Sequence, residues 1–265
     1  MYETLEIRRE GHLTWLILNR PDALNAMSAT LIREVSDFFL RLPEDRETRV
    51  VVMRGAGRGF CAGLDLKDTS HTDTTGGSTW GALQGQRRVS EIVMLMRRAP
   101  QPIVAAVHGP ACGGGFAMAL AADVRIAGES TRMNAAFIRL GLSACDVGVS
   151  YFLPRIVGAS VAAELLLTGD FIGAARAERV GLVSRVVPDA ELEAAARTVA
   201  ESMLRNSPLG LKLTKEVLKL SLDAGSLEQV IALEDRNQVI AARSKDFREG
   251  VAAFLEKRPA VFKDD

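Results

Sequence analysis

Apolar and polar positions alternate over residues 3–9 (Leu5, Ile7) and turn almost wholly apolar over residues 12–18, on either side of Glu10-Gly11. That pattern predicts a β-hairpin, ended by Asn19-Arg20-Pro21-Asp22. Ser28 then stands where a helix N-cap belongs, and Leu31, Val35, Phe38, Phe39 and Leu42 share one face of the helix it would start. Residues 50–53 form a short apolar strand stopped by Gly55 and Gly57, whereas residues 68–81, rich in Thr, Ser and Gly, read as a loop before a long helix to about Arg98. Pro100-Gln101-Pro102 punctuates the chain ahead of a strand at 103–107, and the strand pattern returns at 124–127 and 183–187. Short strands set between helices predict an α/β fold with parallel crossovers. From Asp189 onward the periodicity is helical, over 191–206, 208–222, 227–243 and 246–256. The change falls within 188–207, and we divide the chain into an α/β unit at 1–195 and a helical region at 196–265.

Composition narrows the partners. Lys plus Arg and Asp plus Glu both count 33, and like charges do not cluster, so neither nucleic acid nor an anionic membrane is expected as a partner. A small molecule and further copies of the chain are. Cys61, Cys112 and Cys145 show neither a CxxC pair nor zinc-like spacing, and the charged N-terminus lacks the apolar core of a signal peptide, which together point to the cytoplasm. Residues 101–122 carry no charge, but Gly109-Pro110 and three further glycines would break a membrane helix near its middle.

Those glycines stand in His108-Gly109-Pro110-Ala111-Cys112-Gly113-Gly114-Gly115-Phe116-Ala117, which joins an apolar strand to an Ala-rich helix. Glycine permits close backbone approach, and the first turn of a helix offers free N–H groups at the positive end of its dipole. Such a turn suits developing negative charge. Two other blocks accompany it: Leu18-Asn19-Arg20-Pro21-Asp22-Ala23-Leu24-Asn25-Ala26 and Gly59-Phe60-Cys61-Ala62-Gly63-Leu64-Asp65-Leu66. In this order and spacing the three resemble the crotonase (enoyl-CoA hydratase/isomerase) superfamily. The likeness continues through Ala122-Asp123-Val124-Arg125, Gly181-Leu182-Val183 and the tail from Glu249-Gly250 to Phe262-Lys263.

The resemblance implies a spiral of ββα turns, a C-terminal helical region that trimerises (as a homotrimer or a dimer of trimers), and an acyl-coenzyme A thioester as substrate, with no separate cofactor. It assigns two oxyanion-binding N–H groups to Leu64 and Gly114. It places Ala23, Leu24, Ala62 and Asp65 along the coenzyme A, Phe137 against the substrate, and Phe254 and Lys257, from this subunit or a neighbour, near the adenine and phosphates.

Two positions depart from the family pattern. Where hydratases carry a glutamate two residues past the glycines and another about twenty residues on, this chain has Ala117 and Phe137. Neither can move a proton, so the two-glutamate hydration is closed to it and little hydratase activity on crotonyl-CoA is expected. Asp146 is the best remaining acid–base candidate: allowing one inserted residue, it resembles the base of dienoyl-CoA isomerases and the nucleophile of 4-chlorobenzoyl-CoA dehalogenases. Asp just ahead of a helical stretch is equally a natural N-cap, and both readings stand. A thioester hydrolase or dehalogenase, and a noncatalytic acyl-CoA-binding protein, are the alternatives to the hydratase/isomerase reading. His71 in the loop is a lesser catalytic candidate, Arg139 faces either the pocket or solvent, His108 is expected to hold structure, and the three cysteines are expected to pack.

Overall fold

The computed structural model describes residues 2–68 and 78–263. The chain opens with the predicted hairpin, β1 (Leu5–Glu10) and β2 (Leu13–Leu18), followed by α1 (Ala29–Arg41), whose first turn is closed by Ser28 Oγ accepting from Leu31 N at 3.2 Å. β3 (Val50–Gly55) pairs in parallel with β2. The first three residues of α2 (Thr79–Arg98) fall inside the stretch expected to be loop, because Ser78 Oγ caps the helix by accepting from Gly81 N. His71 lies outside the described residues.

β4 (Ile103–Val107) runs through Gly109 into the short β5 (Pro110–Cys112), and the glycines then open α3 (Gly114–Ala121), every residue of which is buried. β6 (Val124–Gly128) and β7 (Arg132–Asn134) follow, then α4 (Val149–Val157) and α5 (Ala159–Thr168), β8 (Ile172–Gly173), α6 (Ala174–Arg179) and β9 (Arg185–Val187). The large sheet has the order β1-β2-β3-β4-β6-β9, parallel throughout except for the hairpin, and β5-β7-β8 forms a smaller sheet beside it. Parallel strands need both faces covered. Leu16, Leu18, Val51, Met53, Ala105 and Val107 face α1, α2 and α3, whereas Trp15, Ile17, Val52, Val104 and Ala106 face Leu192, Ala196 and Ala200 of α7 (Leu192–Leu204). α7 thus covers the second face of the sheet, and the 195/196 boundary falls inside it.

The last three helices are α8 (Pro208–Ser221), α9 (Leu227–Ala242) and α10 (Lys245–Glu256). α8 is tied down by buried Lys215, whose Nζ lies 2.8 Å from Asp123 Oδ2 and 2.8 Å from the Gln101 carbonyl. Among the described residues no helix is long and apolar enough to cross a membrane. The uncharged run at 101–122 is divided among β4, β5 and α3.

Candidate functional site

Two loops frame the site. In the first, Leu24 and Asn25 both adopt left-handed backbone (φ 50° and 56°), a conformation costing about 1–2 kcal/mol for a branched side chain. The buried Asn25 amide offsets it: Oδ1 accepts from Arg20 N at 2.8 Å, while Nδ2 donates to the Ala56 and Gly59 carbonyls at 2.9 and 2.8 Å. The second loop is laced to the first by Ala62 N donating to Leu24 O, Met27 N to Gly63 O and Asp65 N to Met27 O. Arg20 braces the pair, with Nη1 2.9 Å from Asp65 Oδ2. Burial favours a neutral Asp65, yet the hydrogen bonds from Arg20 and the Lys67 N–H hold its carboxyl below the ordinary value. Ala23, Leu24, Leu64 and Asp65 line a cavity of about 570 Å³ together with Arg20 and Lys67. Ala62 is not among the lining residues; its N–H is taken by the Leu24 carbonyl.

The glycine turn meets this second loop edge-on. A Cβ on Gly63, whose φ is +94°, would lie 2.8 Å from the Cys112 carbonyl and 3.7 Å from Gly114 N, so the peptide of Leu64 and that of Gly114 are neighbours. Each glycine of the triplet has its own reason. Gly113 takes φ 50°, ψ −116°; a Cβ on Gly114 would meet Met27 Sδ at 2.6 Å; one on Gly115 would meet the Cys61 carbonyl at 2.2 Å. Among the described residues neither Leu64 N–H nor Gly114 N–H donates to a carbonyl or side chain, and Gly114 is the first residue of α3. Two free donors, one at the N-terminus of α3 and one on the neighbouring loop, can bind a developing oxyanion.

Around the turn the side chains are mostly inert. Ala117 is fully buried, and Phe137, also buried, lays its ring 3.4 Å from where a Gly113 Cβ would be. Asp146 differs. Its Oδ1 accepts from Gln86 Nε2 at 2.6 Å and from Val147 N at 2.7 Å, and half-burial drives its carboxyl pKa up despite both bonds. The helix-cap reading of Asp146 is corrected: α4 starts at Val149 with Gly148 as its cap residue, and Asp146 meets it only through its carbonyl, which accepts from Val149 N. The cap fails because Val147 (φ 46°) and Gly148 (φ 79°) turn the chain between the carboxylate and the helix. Val147 and Ala144 pack into the same core as Ala117 and Phe137, which sets the carboxylate on that side of the sheet.

Other candidates are placed elsewhere. His108 donates Nε2–H to the Gly57 carbonyl at 3.0 Å, as its expected structural role requires, and burial lowers its pKa. Arg139 pairs with exposed Asp170 at the surface. Cys61 and Cys112 are buried, their thiols pushed up to about 12 and about 11, but Cys145 is exposed and does not pack as expected. Phe254, 83% exposed, lines a separate apolar cavity with Phe247 and Phe262, and Lys257 ends α10 in left-handed backbone (φ 54°). That cavity shares no residue with the one at Leu64, so one chain does not bring these two residues to the others. Sequence reasoning missed Gln86, Arg20, Asn25 and Lys67: the last three lie in or beside the motif blocks, but nothing in α2 singles out Gln86. Among the described residues no group of three His, Cys, Asp or Glu side chains is disposed to hold a metal.

Comparison with known proteins gives the chain's family and fold. The family model described as enoyl-CoA hydratase/isomerase matches residues 8–265. A Mycobacterium tuberculosis H37Rv protein named "Probable enoyl-CoA hydratase EchA12" is 41% identical, over 94% of this chain and 89% of its own length. The 1,2-epoxyphenylacetyl-CoA isomerase of Escherichia coli K12 is 35% identical over 99% of both chains. The crystal structure of an enoyl-CoA hydratase from Bacillus anthracis superposes with a TM-score of 0.93 at 32% identity, covering 99% of this chain and 100% of that one.

Proposed function

The chain belongs to the enoyl-CoA hydratase/isomerase family, and from that membership we propose that it shifts a double bond within an enoyl-CoA by proton transfer and does not add water to it. One observation carries the choice. Among the described residues the carboxylate assigned to proton transfer is that of Asp146, while the two positions that would hold a hydratase's glutamates are occupied by Ala117 and Phe137. Hydration must both activate water and move a proton, which takes two groups; isomerisation moves one proton out and back, which one carboxylate can do.

The thioester oxygen accepts from Leu64 N–H and Gly114 N–H. Asp146 takes a proton from the carbon α to the thioester carbonyl of a β,γ-enoyl-CoA, the electron pair delocalises onto the oxygen as a dienolate, and the same proton returns at the γ carbon. An α,β-enoyl-CoA results and the carboxylate is regenerated. Each backbone donor contributes about a hundredfold to a thousandfold, because charge develops where it already points. The coenzyme A lies along Ala23, Leu24, Ala62 and Asp65, and the acyl group against Phe137. Nothing beyond the substrate's own coenzyme A is needed.

Phe254 and Lys257 complete the site from a second copy, in a homotrimer or a dimer of trimers. The C-terminal helices support that assembly by exposing Leu218, Leu222, Leu227, Phe254 and Leu255. Three unpaired cysteines support a reducing, cytoplasmic setting.

The test is a β,γ-enoyl-CoA in deuterated buffer beside crotonyl-CoA in ordinary buffer. Isomerisation that carries protium from the α to the γ carbon with little deuterium entering the product, lost in Asp146→Asn, and crotonyl-CoA hydration slower by at least about a hundredfold, are expected. Hydration as fast as isomerisation, or an ester trapped on Asp146 by rapid quench, overturns the reading in favour of a hydratase or of nucleophilic catalysis.

A further inference from the structure

We propose that Gln86 is a positioning residue for the proton-transferring carboxylate: its amide pins Oδ1 of Asp146 and leaves Oδ2 as the oxygen that takes and returns the substrate proton. The proposal rests on the reading of Asp146 as the acid–base group and adds which atom acts and what aims it.

Both donors that reach the carboxylate converge on one oxygen, Gln86 Nε2 at 2.6 Å and Val147 N at 2.7 Å. Among the described residues Oδ2 has no donor. Short donors stabilise the charge on the oxygen they touch and occupy its lone pairs, so the proton affinity of the group is expressed at the other oxygen. Exchanging the two oxygens by rotating the carboxyl group would break both bonds together, one of them to backbone held by the buried Val147. The geometry serves the neutral state too. A protonated Asp146 must carry its O–H on Oδ2, because Oδ1 faces two N–H groups.

A glutamine suits this task because it donates without titrating. Burial favours the protonated carboxyl and the two bonds favour the charged one, and burial prevails. The charged groups on the elements packed nearby are engaged otherwise. On α2, Arg87 lies over the Trp80 ring, Arg88 lines the groove between α1 and α2 with Glu91, and Arg97 lies over the Phe152 ring; Arg139 pairs with Asp170, and on α4 Arg155 pairs with Asp223. The proton affinity of Asp146 is therefore set by its burial and these two hydrogen bonds.

The test compares the pH profile of kcat/KM for isomerisation of a β,γ-enoyl-CoA in wild type, Gln86→Met and Gln86→Glu. Methionine keeps the length and removes the donor. It is expected to move the acid limb upward by about one pH unit, the loss of one charge-assisted hydrogen bond, and to lower kcat about tenfold while KM stays within about twofold. Gln86→Glu is expected to move the limb further, because two adjacent carboxyl groups share a proton. The limb's position is read against each variant's own plateau, so incomplete folding does not mimic the shift. In an Asp146→Asn background Gln86→Met is expected to change nothing further. If Asp146→Asn keeps full activity, the assignment of Asp146 falls and this proposal with it. If Asp146→Asn is inactive but Gln86→Met keeps the wild-type limb and kcat, only the role of Gln86 is overturned.

Discussion

Lys215 Nζ sits 2.8 Å from Asp123 Oδ2, both held where α8 crosses the start of β4 and the loop before β6. The same ammonium also donates to the Gln101 carbonyl, and burial pulls its pKa down although Asp123 opposes that. Removing one partner of a buried pair leaves the other charge uncompensated, at about 3–5 kcal/mol. Lys215→Met is expected to cost that much, with amide exchange accelerated first in α8; Lys215→Met combined with Asp123→Asn is expected to recover part of the loss. Additive losses would show that the pair is not coupled.

Asp146→Asn should remove activity and add stability. A carboxyl whose folded-state pKa is raised contributes fully below its unfolded value and loses that contribution as pH rises through the folded value, so at pH 7 the charged, half-buried group is a net cost. The amide carries no charge and can keep the Val147 bond. A melting temperature about 1–3 °C above wild type at pH 7 is expected, the difference vanishing near pH 4, with turnover down by about a hundredfold or more.

Gly114→Ala and Gly115→Ala are expected to differ in whether they can be rescued. The Gly115 Cβ would strike a backbone carbonyl, whereas the Gly114 Cβ would strike the far end of Met27. Both should lower stability by about 1–3 kcal/mol, but only Gly114→Ala should regain it when Met27→Ala is added. Equal rescue of the two in thermal melts would contradict the geometry.

Glu34 anchors the start of β1 to α1, accepting from Glu3 N at 2.7 Å, Thr4 N at 2.8 Å and Thr4 Oγ1 at 2.6 Å. Burial favours its neutral form, but these three donors hold the carboxyl below its ordinary value. A depressed folded-state pKa contributes stability above the unfolded value, lost as pH falls through the folded one. Glu34→Gln is therefore expected to cost about 1–3 kcal/mol at pH 7 and progressively less below pH 4, with kcat unchanged. A pH-independent deficit in urea melts would refute this.

Light scattering is expected to give three or six times the 28.6 kDa chain mass. In that assembly Lys257→Glu should weaken acyl-CoA binding about tenfold by reversing the charge beside a phosphate, and leave binding of the corresponding pantetheine thioester unchanged. Equal effects on both ligands would remove Lys257 from the nucleotide site.

Elements whose signals are local were legible in the chain. Ser28 capped its helix as expected because the cap and its partner lie three residues apart, and the apolar runs of β2 to β4 mark strands buried on both faces. Ser78 was absorbed into a Thr- and Ser-rich stretch whose average composition hid a single capping hydroxyl. The sequence leaves Asp146 open between helix cap and acid–base group because the turn that separates it from α4 depends on Val147 taking a left-handed backbone, which no β-branched residue advertises. Gln86 was invisible since its partner stands 60 residues away and the contact joins two polar side chains without periodicity. The glycine triplet was readable as a place of close approach, but not what approaches: Met27 and Cys61 come from other turns of the spiral.

Of the three thiols, only Cys145 meets solvent, one peptide bond from Asp146, while the other two are shut inside the protein and kept protonated by their surroundings. An alkylating reagent therefore finds a single target on the native molecule. A fluorophore or spin probe placed there would ride on the loop that carries the carboxylate and report on its surroundings as ligand enters. The wild-type chain thus carries its own attachment point for spectroscopy, with no engineered cysteine to add and none to delete.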